Sequence, residues 1–236
     1  MINNAQRTLL AIYLPLTLLI IVFGQLYHQA DFVKYIKYAV MITLFLSTLV
    51  TVKKYREQKI MAAAFIFVVI GDFFLVFLTT FNYSTMSVAP YGITGFLLAY
   101  LCLIAAYQKN FKMGQAEILA AIPFVLIFLC INLIMYQYLK GFMFIGLVVF
   151  GAALFFMTWT AICTLFRQYF TNKAAWIIAI SASLMFLCDL GIVISALNYV
   201  QTGTILPWLE NIIWAAYIPG WTLLAVLINE DILTTR

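Results

Sequence analysis

Eight apolar stretches follow one another along the chain, separated by short breaks rich in charge or turn residues. They run over residues 8–26, 33–52, 60–80, 89–108, 116–138, 141–165, 174–199 and 208–228. Crossing ~30 Å of hydrocarbon takes ~20 apolar residues as a helix. A bilayer offers no water to a bare backbone, so each stretch is predicted to be a membrane-spanning α-helix. The first stretch follows Arg7, is too long for a signal-peptide core and lacks a convincing small-residue cleavage site, so it is read as a span like the others. Pro90 and Pro207 fall at predicted helix starts, where a missing N–H costs nothing. The expected fold is all-α: a polytopic membrane helix bundle of eight transmembrane helices, forming a single transmembrane domain over residues 1–236.

Composition agrees with this pattern. Of 236 residues, 66% are hydrophobic and 9% charged, with a mean hydropathy of +1.08, which excludes a water-soluble globular domain. The net charge of +5 points to topology rather than to nucleic acid, because the basic residues sit in short loops beside apolar spans. Arg7, Lys53, Lys54, Arg56, Lys59, Lys109, Lys112, Arg167, Lys173 and Arg236 fall on one side, and only Lys34, Lys37 and Lys140 on the other. This bias places both termini in the cytoplasm and the protein, if bacterial, in the cytoplasmic membrane. Cys102, Cys130, Cys163 and Cys188 lie in apolar segments without CxxC spacing, so they read as small reduced core residues.

Six of the eight acidic residues, Asp31, Glu57, Glu117, Glu210, Glu230 and Asp231, lie in or near loops or helix ends. Asp72, within VVIGDFFLVF, and Asp189, within LMFLCDLGIV, are embedded. Each would cost about 2.5–3.5 kcal/mol at a helix centre, which implies protonation, a partner or a water-filled cavity. Counted by helix rise from the outer ends of their spans, the two sit at similar depths of roughly 12 and 15 Å. Ala175, Ala182, Asp189 and Ala196 recur every seven residues, a small-residue seam that turns Asp189 toward the bundle.

Two carboxyl groups facing one low-dielectric cavity hold one proton between them, giving a general acid beside a carboxylate anion. That suits acid-catalysed cleavage of an acetal or enol ether, where a proton is delivered and positive charge develops beside it. The same residues would serve a proton-coupled transporter of lipid or small solutes, or a buried pair hydrogen-bonded for packing. His28 is the single histidine, placed in the loop after the first span, so neither a multi-histidine zinc site nor a buried Ser–His triad can be built. No metal or other cofactor is expected.

Other embedded polar positions could orient water or substrate: Tyr100, Tyr107, Asn132, Ser181, Ser183, Ser195, Trp214 and Tyr217. Tyr217 stands out because Pro219 and Gly220 are expected to interrupt its helix and free backbone carbonyls. Lys34 and Lys37 share a helix face near the outer boundary, where Lys37 could snorkel or meet a lipid phosphate.

The GD of VVIGDFFLVF, the pattern from Gly92 to Ala99, the SASLMFLCD run and the AAYIPGWTLLA tail resemble the YhhN family of lysoplasmalogenase-like membrane proteins, in order and spacing across nearly the whole chain. The resemblance implies hydrolysis of the vinyl-ether bond of a lysoplasmalogen to a fatty aldehyde and a glycerophospho-ethanolamine or -choline. On that reading Asp72 and Asp189 are catalytic, while Lys37, Tyr100, Tyr217 and Asn132 contact a lysophospholipid drawn from the bilayer. The chain departs from the family pattern at Tyr100, where His is common, at Cys188 for Ser, at Trp221 for Gln or His, and at Tyr38 for Pro. An intramembrane aspartyl protease is the weaker rival: Val69 stands where its Gly-x-Gly-Asp form needs the first glycine, and no Pro-Ala-Leu element is present.

Overall fold

The computed structural model describes residues 3–27, 30–81, 85–204 and 206–235; His28 and Arg236 lie outside them. The helices are α1 (Asn4–Leu26), α2 (Asp31–Val50), α3 (Arg56–Asp72), α4 (Thr85–Tyr107), α5 (Gln115–Met135), α6 (Phe142–Arg167), α7 (Asn172–Thr202) and α8 (Pro207–Ile228). Among the described residues these give eight elements long and apolar enough to cross a membrane. Apolar side chains point outward along them, for example Leu18, Leu46, Leu126, Leu133 and Ile192. Such a surface suits lipid and not water.

Local chemistry sets the helix limits. Asn3 caps α1, accepting from the Gln6 amide at 2.8 Å, while Gln6 reaches back to the Asn3 amide at 3.0 Å. This reciprocal pair satisfies two of the orphan donors at a helix start. Gly203 ends α7 at φ 70°, a left-handed turn that glycine adopts without strain. Pro207 occupies the first turn of α8 as expected.

Three expectations need correction. The third span is not one α-helix: α3 ends at Asp72, and the chain continues through a π-helical turn, Phe73–Phe77, into a 3₁₀ turn, Leu78–Phe81. Pro90 lies inside α4 and not at its start. Pro219 does not interrupt α8, which is continuous. Next to this proline α7 seats closely on α8: Ser181 donates to the Gly220 carbonyl at 2.7 Å, and a Cβ on Gly220 would lie 3.3–3.4 Å from Leu184 and Met185.

α7 lies along α8, α3 along α4, and α1 on α8, with α6 against both α4 and α7; α5 rests mainly on α6. The α3–α4 approach depends on glycine. A Cβ on Gly95 would sit 2.8 Å from the Phe67 carbonyl oxygen and 2.9 Å from the Gly71 nitrogen, so only a hydrogen fits there. Both chain ends lie on one face. Asn3 donates to the Asn229 carbonyl at 2.7 Å, Gln58 to that of Glu230 at 2.7 Å, and Lys54 pairs with Asp231 at 2.6 Å. The Thr171 amide meets the Leu233 carbonyl at 3.1 Å, so the tail after α8 stitches α1, α3 and α7 together.

The small-residue seam of α7 holds over part of its length. Ala175, Ala182 and Asp189 are buried, but Ala196, in the last two turns of α7, is exposed. Of the four thiols, Cys163 and Cys188 are buried and Cys102 half-buried, whereas Cys130 faces outward from peripheral α5 and is not a core residue.

Candidate active site

Asp72 closes α3 and is 2% exposed; Asp189, midway along α7, is 7% exposed. Each carboxyl group receives one phenol. Tyr217 of α8 donates to Asp72 Oδ2 at 2.7 Å, and Tyr100 of α4 donates to Asp189 Oδ2 through a short hydrogen bond. Asp72 and Asp189 both act electrostatically on Tyr100 and on Cys188, and Tyr100 and Cys188 both act on Tyr217. Four helices thus supply two buried acid–phenol pairs, Asp72 with Tyr217 and Asp189 with Tyr100, and Tyr100 lies in electrostatic reach of both acids. Among the described residues each carboxyl has that single phenol donor, which leaves its second oxygen for a proton, water or ligand.

The π-turn after Asp72 belongs to this geometry. An extra residue in the turn redirects the side chains that follow, a distortion frequent at functional sites. Here it carries Phe73 and Phe77 against Tyr38 of α2, with ring centroids 6.3 and 5.1 Å apart. Leu75 fills the space opposite Gly92 of α4. Tyr38 in turn lies within electrostatic range of Asp72.

Along α8, Glu210, Trp214 and Tyr217 share one face at i, i+4 and i+7 spacing. The Trp214 and Tyr217 rings meet edge to face at 5.3 Å. Lys37, 4% exposed, sets its ammonium 4.5 Å above the Trp214 ring and pairs with Glu210 at 2.7 Å. Sequence reading singled out Lys37 but placed Glu210 at a helix end without a role. The spacing along α8 was the available signal. Lys34 pairs with Asp31 at the surface.

On the other side of Asp189, a crevice between α5, α6 and α7 holds about 30 Å³, room for a water molecule or two. Its lining is apolar except for Asp189 and Asn132, the latter carrying a buried Oδ1 with no partner among the described residues. Asn132 spends its amide on the Phe128 carbonyl at 2.8 Å. Tyr107 and Trp221 are fully buried, and the Tyr107 hydroxyl and Trp221 Nε1 likewise lack partners among the described residues. Trp221 packs 6.4 Å from Tyr217 and 5.2 Å from Phe65. Ser183 and Ser195 are half-buried, and Ser181 serves the α7–α8 contact already described.

Compared with known proteins, residues 32–228 match the model of the YhhN family. No curated protein and no solved structure matches the chain.

Proposed function

Because the chain belongs to the YhhN family, an assignment that with its eight apolar helices makes it an integral membrane protein, we propose that it is a lysoplasmalogenase-like hydrolase working through Asp72 and Asp189. The observation that supports this reading is that both embedded carboxyl groups are buried, each with one phenol and one oxygen left over. The substrate is a lysophospholipid with a vinyl-ether chain, taken from the bilayer; no cofactor takes part.

One aspartic acid delivers its proton to the vinyl carbon that is not bonded to oxygen. The neighbouring carbon becomes an oxocarbenium ion, which the other carboxylate stabilises at close range in a dry site. Water adds to that carbon and gives up a proton to the carboxylate. The hemiacetal then collapses to a fatty aldehyde and a glycerol hydroxyl, consuming one water in all. Tyr100 and Tyr217 fix the rotamers of the acids so that one oxygen of each stays free. The crevice at Asp189 and Asn132 is the right size for the attacking water.

The alkyl chain needs more room than that crevice gives. α5 is the cheapest wall to move, because it rests mainly on α6. Lys37 would meet the lipid phosphate, with Glu210 exchanging its partner for the amine of the head group. By its basic bias, the face carrying both chain ends is the cytoplasmic one.

The test is aldehyde release from lysoplasmalogen by purified protein, compared with the Asp72→Asn and Asp189→Asn variants. Turnover by the parent and its loss in both folded variants is the expected result. An inactive parent would favour the proton-coupled transporter instead.

A further inference from the structure

At the face that carries both chain ends, far along the helices from the outer pair Lys37 and Glu210, the α4–α5 connection, the first turn of α5 and the last turn of α6 line an open cavity of about 640 Å³. The aspartate mechanism makes no use of it. Its lining includes Lys112, Glu117 and Arg167. It also includes Asn110 and Gln168, at φ 48° and 51°, the two non-glycine residues with positive φ among the described residues. Each closes a connection at the rim of the cavity, in a region few such side chains occupy.

Arg167 is the unusual group. Its side chain is 2% exposed, and its Nε donates to Glu117 Oε1 at 2.6 Å. The rings of Phe111 and Trp159 lie 5.1 and 5.9 Å from the guanidinium carbon. Nη1 and Nη2 are buried with no partner among the described residues. A guanidinium carries five N–H donors, and buried charged donors left unmatched are costly. Glu117 is already committed: its carbonyl accepts from Trp159 at 2.8 Å and its second carboxylate oxygen lies 3.4 Å from the Gly114 amide. The next amides of α5 have no carbonyl four residues back, and they form the positive end of the helix.

Two cations and one carboxylate thus line the cavity, and behind its wall, under Phe111, the unmatched Arg167 donors form a planar fork that suits a tetrahedral oxyanion. We infer that this cavity binds a phosphate-class anion, held by the terminal nitrogens of Arg167 together with Lys112 and the first amides of α5. Phe111, 46% exposed, covers the guanidinium and swings aside to admit the ligand. A lipid head group and a free phosphate present the same chemistry to these donors.

Titration calorimetry on the full-length protein in uncharged detergent distinguishes them, using inorganic phosphate in one arm and dihexanoyl phosphatidic acid in the other. Saturable binding of one equivalent is expected in at least one arm. Phosphatidic acid alone identifies a lipid head group, phosphate alone a soluble anion, and both the phosphate group itself. Lys112→Gln should weaken binding about tenfold, the effect of ~1.4 kcal/mol. The double variant Arg167→Gln/Glu117→Gln, which removes the ion pair without leaving a lone buried charge, should abolish it. Heat from neither titrant, or unchanged affinity in Lys112→Gln, overturns the inference, and the lysine variant decides alone if the double variant does not fold.

Discussion

Gly95→Ala tests whether the placement of Asp72 against Tyr217 depends on the close approach of α3 and α4. The added Cβ would lie 2.8 Å from the Phe67 carbonyl oxygen, 2.9 Å from the Gly71 nitrogen and 3.0 Å from the Gly71 Cα. Heavy atoms in good contact stand ~3.5–4.0 Å apart, so the helices must part by roughly 0.5–1 Å. All three atoms are backbone, and no change of rotamer relieves them. Overpacking of this kind costs about 1–3 kcal/mol. Asp72 is the next residue after Gly71, so its carboxyl shifts relative to Tyr217 on α8, now at 2.7 Å. A misplacement of ~1 Å costs about a hundredfold in rate. The expected outcome is a lower melting temperature in detergent and a loss of turnover larger than the loss of folded protein. Gly146→Ala is the control: nothing lies within 4 Å of its Cβ position, and alanine should be neutral or stabilise by up to ~1 kcal/mol. Parent-like stability and turnover in Gly95→Ala would show that the α3–α4 approach does not set the position of Asp72.

Tyr217→Phe and Tyr100→Phe each remove the one phenol on an acid. With a hydrogen bond to a charged group contributing ~1.5–3 kcal/mol, turnover should fall about ten- to hundredfold while the helical circular dichroism is unchanged; retained turnover would show that the phenols do not position the acids. Lys37→Met should raise KM for lysoplasmalogen with little change in kcat, as expected for a contact equal in ground and transition states. A fall in kcat at constant KM would instead move Lys37 into the chemistry.

Much of this arrangement was legible from residue order. The eight spans followed from hydropathy because a bilayer demands that length of apolar helix. Asp72 and Asp189 stood out because a lone carboxylate there is costly. The heptad seam correctly turned Asp189 inward, with Ala175 and Ala182 buried on the same face, but it overreached at Ala196, which is exposed. Other features were invisible for physical reasons. The π-turn at Phe73–Phe77 has no signal in periodicity, because its side chains are as apolar as those of an ordinary α-helical turn. The contact that seats α8 on α7 beside Pro219 joins Ser181 and Leu184 to Gly220, partners far apart along the chain. The Arg167–Glu117 pair joins residues fifty positions apart, each of which reads alone as a loop-side charge.

The mechanism makes one demand that no transporter shares: a solvent-derived proton must end up on carbon. Turnover of lysoplasmalogen in D₂O, with the aldehyde trapped at once by borohydride and examined by mass spectrometry, reads this directly. One deuterium is expected on the carbon next to the former carbonyl, at a rate that Asp72→Asn and Asp189→Asn both abolish. Aldehyde formed without deuterium at that carbon, or formed at the parent rate by either variant, would contradict this mechanism.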